Sequence, residues 1–190
     1  MSLKRRAMVL ETKTAVGDFV LETARLRLRR FRRGDVDAVF AIIGDEVAMR
    51  YYPKKFEFRD AAEWIERNLR RYEEHGNGLY AVTLRGCEEV IGDCGLIAQV
   101  VEGEAQVEVG YHFRRDQWGN GYATEAAKAC TALAFREFRE SKVISLIRPE
   151  NVRSRRVAER NGMKVQRLVM HAKLPHLVYA ITREEFANAA

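Results

Sequence analysis

The chain has 190 residues and a formal net charge of +6 at pH 7, with 47% of its residues hydrophobic and 32% charged. Such a length suits one domain with a substantial core and is too short for two domains of ordinary size. The balance of apolar and charged residues argues against disorder, and no apolar run approaches the roughly 20 residues that cross a bilayer.

The N-terminus and the cysteines bear on the compartment. The apolar stretch that follows the basic residues 4–6 is ended by Glu11, after about four residues where a secretory signal has at least 7. The three cysteines form an odd number without a Cys-x-x-Cys pair, which fits a reducing environment better than a disulfide framework. We therefore predict a cytoplasmic protein.

The first 19 residues show no hydrophobic periodicity, so we predict a flexible lead followed by one domain over residues 20–186. The domain begins with a short strand around Leu26 and Leu28. A short helix follows, which Asp35 is expected to cap, and then a longer amphipathic helix from about residue 60 to residue 75.

Strand patterns dominate the middle of the chain, at residues 79–84, 90–97 and 106–113. A helix then runs to about residue 139, and the remaining elements are a strand at 143–147, a helix at 154–161 and strands near 165–172 and 177–182. Antiparallel strands followed by strand, helix and strand give a mixed α/β order of about seven strands and about four helices.

A glycine-rich turn, Trp118-Gly119-Asn120-Gly121, lies between the third of the middle strands and the helix that follows it. Glycines let the backbone adopt dihedral angles closed to other residues and let a ligand approach without a Cβ in the way. The first turn of the following helix carries unpaired N–H groups and the positive end of the helix dipole, which together bind phosphate oxygens. The turn therefore predicts a phosphate site, with a plain tight turn as the alternative.

The run from Trp118 to Ala126 resembles the acetyl-CoA pyrophosphate loop of the GNAT superfamily of N-acetyltransferases, in particular its ribosomal-protein N-terminal acetyltransferase (RimJ/RimL-like) branch. Three further stretches match that branch in order: ETARLRLR at 22–29, IGDCGL at 91–96, and NVRS at 151–154 followed by Gly162-Met163. The matches span most of residues 20–186. Trp118 is a departure, because many members of the family have Gln or Arg there to contact phosphate.

The resemblance implies a GNAT-like α/β fold, in which a mixed, mostly antiparallel sheet is splayed open. It places acetyl-CoA between the strand that ends at Phe113 and the strand that ends near Arg148. Backbone N–H groups at the end of the first of these strands would bond the pantetheine and polarise the thioester carbonyl. The residues predicted to contact the cofactor are Tyr111, His112, Phe113, Trp118, Gly119, Asn120, Gly121, Tyr122, Ala123, Thr124 and Asn151.

The same resemblance places the segment between the first two helices over the acceptor site. Tyr51, Tyr52 and Phe56 lie in this segment and either contact the acceptor or pack beneath it. Trp64, on the apolar stripe of the second helix, is expected to pack in the core. Gly110, inside a strand pattern, indicates a bulge or a close backbone approach.

Acetyl transfer to an amine needs a base, and two carboxylates are candidates. Glu108 lies on the strand that leads into the glycine turn, on the face opposite Val107 and Val109. A solvent-facing or salt-bridged strand carboxylate is the alternative reading of Glu108. Asp93 is the second candidate, with a structural role at a turn or strand edge as its alternative. An α-amino group titrates near 7.7 to 8.0, so only mild help is needed to deprotonate it.

Ser154 is the candidate proton donor for the departing thiolate. Many other acetyltransferases have a Tyr near the end of this short helix, at the position that is Ala158 here, so the resemblance shifts the prediction to Ser154. Capping of the helix by Asn151 and Ser154 is the structural alternative. A thiolate with a pKa near 8.5 also leaves without a dedicated acid.

Two other kinds of chemistry find little support. A covalent route through Cys94 or Cys130 requires a base that activates the thiol, and none is evident in the sequence. No metal site is predicted, because the four histidines lack ligand spacing; they are His75, His112, His171 and His176.

These observations predict an acetyl-CoA-dependent N-acetyltransferase. The acceptor is a primary amine, on a protein N-terminus or a small molecule, and it attacks directly in a ternary complex. The alternative is a non-catalytic protein of the same fold that binds an acyl-CoA, or binds RNA or the ribosome through the arginines at 29–33. Under the enzymatic reading we expect no direct nucleic-acid binding, and a homodimer is left open.

Overall fold

The structure is a computed structural model that describes residues 19–189. The predicted N-terminal lead lies outside the described residues except for Phe19, which begins the first strand. Within the described part, no helix is long and apolar enough to cross a membrane.

Residues 19–189 contain eight strands and five α-helices. In chain order they are β1 (Phe19–Glu22), β2 (Leu26–Arg29), α1 (Val36–Ile43), α2 (Phe58–His75), β3 (Leu79–Leu84), β4 (Val90–Val101), β5 (Glu104–Phe113), α3 (Tyr122–Arg136), β6 (Lys142–Ile147), α4 (Val152–Arg160), β7 (Lys164–His171), β8 (Leu174–Thr182) and α5 (Arg183–Asn188). The predicted mixed α/β fold with a mostly antiparallel sheet is confirmed, with one strand and one helix more than the sequence suggested.

All eight strands belong to one sheet, in the order β1-β2-β3-β4-β5-β6-β8-β7. Every neighbouring pair is antiparallel except β5 and β6, which are parallel and pair only at Glu108 and Ile144. Beyond that point the two strands separate. The sheet therefore opens in its middle, at the strand that leads into the glycine turn.

Helices cover both faces of the sheet. The apolar stripe of α3, which includes Ala126 and Cys130, packs with Tyr80 and Val82 of β3 in one cluster of buried side chains. The apolar faces of α1 and α2 pack with the alternate β3 residues in a second cluster. Because successive side chains of a strand point to opposite faces, α3 lies on one side of the sheet and α1 and α2 lie on the other.

Arginine side chains of the basic segment at residues 29–33 form ion pairs within the molecule. Arg29 is buried and donates two hydrogen bonds to the carboxylate of Asp35, at 2.8 and 2.9 Å, while Arg33 pairs with Glu66. Asp35 does stand at the N-cap position of α1, but its side chain makes no capping bond to that helix. Ion pairing within the fold reduces the charge that this segment presents to RNA.

A close backbone approach occurs at Gly95 rather than at Gly110. The β4–β5 ladder runs through Gly110 without a bulge. A Cβ on Gly110 would meet only the ends of two flexible side chains, at 3.2 and 3.4 Å. A Cβ on Gly95 would lie 2.0 Å from the carbonyl oxygen of Gly78. Gly95 therefore lets Gly78, the residue before β3, lie against β4, where its carbonyl accepts from the amide of Leu96 at 3.1 Å.

Candidate active site

A cleft of about 1080 Å³ occupies the opening between β5 and β6. One end is lined by the glycine turn, the start of α3 and the first turns of α4. The other end is lined by the segment between α1 and α2 and by residues of α2, including Tyr52 and Trp64. A single continuous cleft thus connects the predicted phosphate site with the predicted acceptor site.

Side chains replace the backbone ladder where β5 and β6 separate. The carboxylate of Glu108 accepts a hydrogen bond from the backbone N–H of Leu146, at 3.2 Å, and another from the side chain of Gln99, at 2.7 Å. The hydroxyl of Ser145 donates to the carbonyl of Val109, at 2.8 Å. Glu108 therefore braces the opening as well as lining it.

The exposed edge of β5 offers backbone donors to the cleft. Arg114 N donates to Ile91 O at 3.0 Å, so by the two-residue alternation of an antiparallel ladder the even-numbered amides of β5 face β4. The amides of Tyr111 and Phe113 consequently face the opening. The amide of His112 faces β4, so among the three predicted backbone contacts this residue has its donor on the wrong edge for a ligand in the cleft.

The glycine turn has the geometry of an anion site. Gly119 and Gly121 have φ angles of 87° and 82°, a left-handed conformation that favours glycine. A Cβ added to Gly119 would have no atom within 4 Å, and one on Gly121 would meet only Arg25, at 3.5 Å. The turn is therefore open, and the first N–H groups of α3, at Tyr122, Ala123 and Thr124, have no partner within the helix.

A cluster from the N-terminal part of the chain holds this turn in place. Glu125 accepts hydrogen bonds from the hydroxyl of Thr23, at 2.6 Å, and from the backbone and guanidinium of Arg25. Arg25 also donates to the carbonyl of Asn120, at 3.0 Å, and stacks over the ring of Tyr122, at 4.8 Å. Two of the stretches that carry the family resemblance, about 100 residues apart, therefore meet here.

Trp118 and several arginines line the same end of the cleft. The indole N–H of Trp118 donates to the carbonyl of Phe113, at 2.8 Å, and the guanidinium of Arg153 lies 4.4 Å from the centre of the indole ring. Arg148, Arg156 and Arg160 also line the cleft. Open glycines, unpaired helix amides and these positive charges fit a diphosphate.

The start of α4 brings Asn151 and Ser154 to the cleft. Asn151, not Ser154, is the cap: its side-chain oxygen accepts from the backbone N–H of Ser154 at 3.2 Å. The carbonyl of Ser154 accepts from the hydroxyl of Tyr111, at 2.8 Å. Within the described residues the Ser154 hydroxyl makes no hydrogen bond, so it is free to serve a ligand.

Four side chains form a hydrogen-bonded chain at the acceptor end. Asp93, which has no exposed surface, accepts from the indole N–H of Trp64 at 3.0 Å and bonds Nδ1 of His112 at 2.7 Å. Nε2 of His112 bonds the hydroxyl of Tyr52 at 2.6 Å. Burial alone would lower the pKa of His112, but the charge and hydrogen bond of Asp93 outweigh it and raise that pKa above its ordinary value.

The predicted catalytic residues are thus placed in different ways. Glu108 and Ser154 both line the cleft, whereas Asp93 does not line it and contacts two residues that do, His112 and Trp64. Tyr52 and His112 form a pair that sequence reasoning did not join. The one available signal was that His112 lies on the same strand face as Glu108, four residues away.

The buried thiols show no sign of activation. Cys94 and Cys130 are fully buried and lie 3.6 Å apart. Burial and the neighbouring thiol raise the pKa of Cys94 well above its ordinary value, which opposes formation of a thiolate nucleophile. Among the residues that the structure describes, no group of three His, Cys, Asp or Glu side chains is placed to hold a metal ion.

Comparison with known proteins agrees with this geometry. Residues 25–164 match the family model described as an acetyltransferase (GNAT) domain. The uncharacterized protein YkkB of Bacillus subtilis is 36% identical over 160 residues, which cover 84% of this chain and 93% of that protein. The uncharacterized N-acetyltransferase YnaD of the same organism is 31% identical, over 76% of this chain and 82% of its own.

The fold has close counterparts among solved structures. A crystal structure of a GNAT-family acetyltransferase from Bacillus anthracis superposes with a TM-score of 0.75 at 28% identity, covering 86% of this chain and 98% of that one. The chain belongs to the GNAT acetyltransferase family. It is an acyltransferase, and the acetyl donor in this family is acetyl-CoA.

Proposed function

We propose that this enzyme transfers the acetyl group of acetyl-CoA to a primary amine by direct attack within a ternary complex. The observation that carries the proposal is the continuous cleft through the split between β5 and β6. It joins an anion site at one end to an aromatic, titratable site at the other, so donor and acceptor can meet without a covalent enzyme intermediate.

The donor end is assigned by its amides and charges. The turn at Gly119 and Gly121, with the N–H groups of residues 122–124, would hold the diphosphate. The amides of Tyr111 and Phe113 would bond the pantetheine and the thioester carbonyl. Such a fixed donor can be worth roughly 3 kcal/mol of barrier when it stabilises a developing oxyanion. When bound, acetyl-CoA supplies the acetyl group, and Asn151 and Ser154 lie beside the same passage.

Proton transfer is assigned to groups on both sides of the cleft. Glu108 remains a candidate base because it lines the opening, although its two carboxylate oxygens already accept bonds from Leu146 and Gln99. Ser154 is proposed as the proton donor to the thiolate, because its hydroxyl lines the cleft and its backbone alone takes part in the cap.

The acceptor is proposed to be a primary amine of a protein N-terminus or of a small molecule. The motifs shared with the RimJ/RimL-like branch favour the first. We also propose that residues 20–186 form the catalytic domain and that the enzyme acts in the cytoplasm.

The donor site is tested by calorimetry with acetyl-CoA. Gly121→Val places a side chain at a φ of 82°, at the mouth of the anion site, and should weaken binding tenfold or more, which is at least ~1.4 kcal/mol. Gly103→Val is the matched control, because Gly103 has a φ of 83° in the turn between β4 and β5, with open space around it. Equal affinity of both variants for acetyl-CoA would contradict the assignment.

The reaction is tested with labelled acetyl-CoA and a panel of amines and N-terminal peptides. We expect label to appear on at least one primary amine, and no labelled enzyme after denaturation. Label retained on the protein would instead indicate a covalent route.

A further inference from the structure

The hydrogen-bonded chain at the acceptor end has the layout of a proton relay. It starts at a carboxylate with no solvent exposure, Asp93, and ends at Tyr52, which is 40% exposed and lines the cleft. His112 stands between them with 15% of its side chain exposed. His112 therefore connects the buried carboxylate to the cleft, with Asp93 on one ring nitrogen and Tyr52 on the other.

The carboxylate of Asp93 determines which group donates in each hydrogen bond between Asp93, His112 and Tyr52. An ionised carboxylate only accepts hydrogen bonds, so the hydrogen shared with His112 belongs to Nδ1. In the neutral imidazole Nε2 is then the acceptor, and the Tyr52 hydroxyl donates to it. The lone pairs of the Tyr52 oxygen remain for a donor in the cleft. Trp64, which donates to the other oxygen of Asp93, fixes the carboxylate.

Charged groups on the neighbouring elements shift the pKa values of His112 and Tyr52. Asp93 of β4 and Glu108 of β5 both favour protonation of His112, and Arg67 of α2 lies near Tyr52. Burial, with the charges of Glu108 and Asp93, raises the pKa of Tyr52 far above its ordinary value. Tyr52 therefore stays a neutral phenol, suited to pass a proton on rather than to hold a charge.

We propose that Tyr52, His112 and Asp93 form the relay that removes a proton from the acceptor amine. When the acceptor arrives as an ammonium ion, one of its protons passes to the Tyr52 oxygen while the Tyr52 hydroxyl proton passes to Nε2 of His112. The amine nitrogen keeps the electron pair with which it attacks the thioester carbonyl, and the positive charge comes to rest on His112. Asp93, which bonds Nδ1 of His112 at 2.7 Å, is a positioning residue that stabilises that charge. This inference rests on the proposed function and identifies the base of the proposed reaction.

The first test is the pH dependence of turnover. Only neutral His112 accepts a proton, so kcat/KM falls as the pH drops through the raised pKa of His112. Comparing two acceptors whose amines have different pKa values separates this effect from ionisation of the substrate. The fall in kcat/KM that is due to the substrate shifts with the pKa of the amine, whereas the fall that is due to His112 (the fixed limb of the pH profile) stays at the same pH. Tyr52→Phe and His112→Gln should lower kcat roughly 100-fold, the lower range for loss of a general base, and His112→Gln should remove the fixed limb.

Controls separate loss of the relay from loss of the fold. His75→Gln changes an exposed histidine at the end of α2 and should leave turnover unchanged. Acetyl-CoA affinity of the Tyr52 and His112 variants, measured by calorimetry, should stay within about twofold of the wild type. Variants that bind acetyl-CoA normally and turn over at the wild-type rate, with the fixed limb retained, would overturn the relay.

The second test needs no turnover. Nitrogen-15 NMR of the imidazoles should show neutral His112 with its hydrogen on Nδ1 and a pKa above 6.5, and Asp93→Asn should lower that pKa. A hydrogen on Nε2 in the wild type would overturn the relay even if the enzyme acetylates amines. An enzyme with the expected tautomer that acetylates no amine would contradict the proposed function instead.

A separate observation concerns the charge of the acceptor. Arg67 and Arg71 lie one turn apart on α2 and both line the acceptor end of the cleft. The Arg67 guanidinium lies 5.3 Å from the centre of the Trp64 ring, and Arg71 donates to Asn68 at 3.4 Å. Among residues 19–189 neither arginine forms an ion pair with a carboxylate, whereas many arginines elsewhere do.

This lack of a carboxylate partner has a cost that an anionic ligand would relieve. Arg71 is partly buried, and burial together with the charge of Arg67 lowers the pKa of its guanidinium by more than the charge of Glu108 raises it. We infer that the pair binds an anionic group, a carboxylate or a phosphate, carried by the same molecule as the acceptor amine. This second inference also rests on the proposed function and names its substrate class.

Matched acceptors test this inference. For an amine with a free carboxylate, Arg67→Gln and Arg71→Gln should each raise KM about tenfold, and for the corresponding carboxamide they should change KM less than twofold. Arg70→Gln, an exposed arginine on the same helix, is the control. A wild-type enzyme that acetylates amines but does not discriminate between the two acceptors would overturn the inference. Absence of any acetylation would contradict the proposed function instead.

Discussion

At the scale of single residues, Arg25 connects the N-terminal part of the sheet to the donor site. It binds the carboxylate of Glu125 and the carbonyl of Asn120, so it fixes both sides of Gly121. Arg25→Ala should weaken acetyl-CoA binding about tenfold, because a charge-assisted hydrogen bond contributes ~1.5–3 kcal/mol. Calorimetry measures the loss. Arg33→Ala, which breaks an exposed pair with Glu66, should leave the affinity unchanged.

The same cluster makes donor binding sensitive to acid. Burial alone would raise the pKa of Glu125, but hydrogen bonds from Thr23 and Arg25 outweigh it and lower that pKa below its ordinary 4.5. A lowered pKa means that the contribution to stability is complete above 4.5 and is lost as the pH falls through the lowered value. Acetyl-CoA affinity should therefore hold down to about pH 5. A loss centred near neutral pH would show that another group controls it.

Substitutions of Ser154 and Asn151, three residues apart at the start of α4, distinguish a catalytic role from a capping role. Ser154→Ala removes a hydroxyl that makes no bond within the described residues and leaves the cap intact, so it should lower kcat without changing the free energy of unfolding. Asn151→Ala removes the cap of α4 and should cost about 1 kcal/mol of stability. Urea unfolding and steady-state kinetics on both variants distinguish the roles. Equal losses of stability would assign Ser154 to the helix rather than to the proton.

Sequence reasoning located features whose residues are contiguous in the chain. The glycine turn was found because its two left-handed residues and the helix that follows are contiguous in the chain. The link between Tyr52 and His112 was missed because 60 residues separate them and only the packing of α2 on the sheet brings them together. Asp93 was considered only as an isolated carboxylate. Its hydrogen bonds to Trp64 and His112 could not be predicted, because both partners are distant from it in the sequence.

At the scale of elements, the separation of β5 and β6 gives Glu108 two competing roles. As a brace, its carboxylate serves the amide of Leu146, and Glu108→Gln keeps an acceptor for that amide. As a base, it must take up a proton, which Gln cannot do. If Glu108 only braces the opening, Glu108→Gln should retain kcat within about threefold, while Glu108→Ala should lower the free energy of unfolding by about 1 kcal/mol, because the part-buried amide of Leu146 loses its acceptor.

Thermal unfolding and kinetics of the two variants decide between these roles. A large loss of kcat in Glu108→Gln, greatest at low pH where amine deprotonation is hardest, would restore Glu108 as the base and weaken the case for the relay through His112. The relay predicts the opposite order, with His112→Gln much slower than Glu108→Gln in the same assay.

The element boundaries show why periodicity reveals long elements better than short ones. The amphipathic pattern located α2 and α3 to within about three residues, because each buries a continuous stripe. The strand β1 was missed because its first three residues, Phe19, Val20 and Leu21, are all apolar and show no alternation. The helix α5 was also missed, although Thr182 and Glu185 form a capping box that was a readable signal. The C-terminal half of β4 continues past the predicted end because it pairs fully with β5.

At the scale of the whole molecule, burial controls which thiols react. Cys87 is exposed, while Cys94 and Cys130 are buried between the sheet and α3. An alkylating reagent should therefore modify one thiol per native chain and all three after denaturation. Mass spectrometry counts the adducts. Acetyl transfer should survive modification of Cys87, and its loss on selective modification of Cys94 or Cys130 in the native protein would reopen the covalent route.

The open sheet also predicts how donor binding affects global stability. Strands β5 and β6 are joined at one ladder position and by the side chains of Glu108 and Ser145, so a ligand that contacts β5, α3 and α4 together bridges the split in the sheet. A ligand that binds only the folded state stabilises it by ~2.7 kcal/mol at 100 times its dissociation constant. For a domain of this size that corresponds to a rise in Tm of about 5–10 °C.

Thermal unfolding with and without acetyl-CoA measures this rise. Gly121→Val should unfold with little or no shift on addition of the same concentration, because its anion site is blocked, whereas Gly103→Val should show the wild-type shift from its own baseline. If both variants shifted equally, the ligand would be binding elsewhere than the split in the sheet. If neither the wild type nor Gly103→Val shifted at a concentration that calorimetry shows to be saturating, binding would not be coupled to the folded state of this sheet.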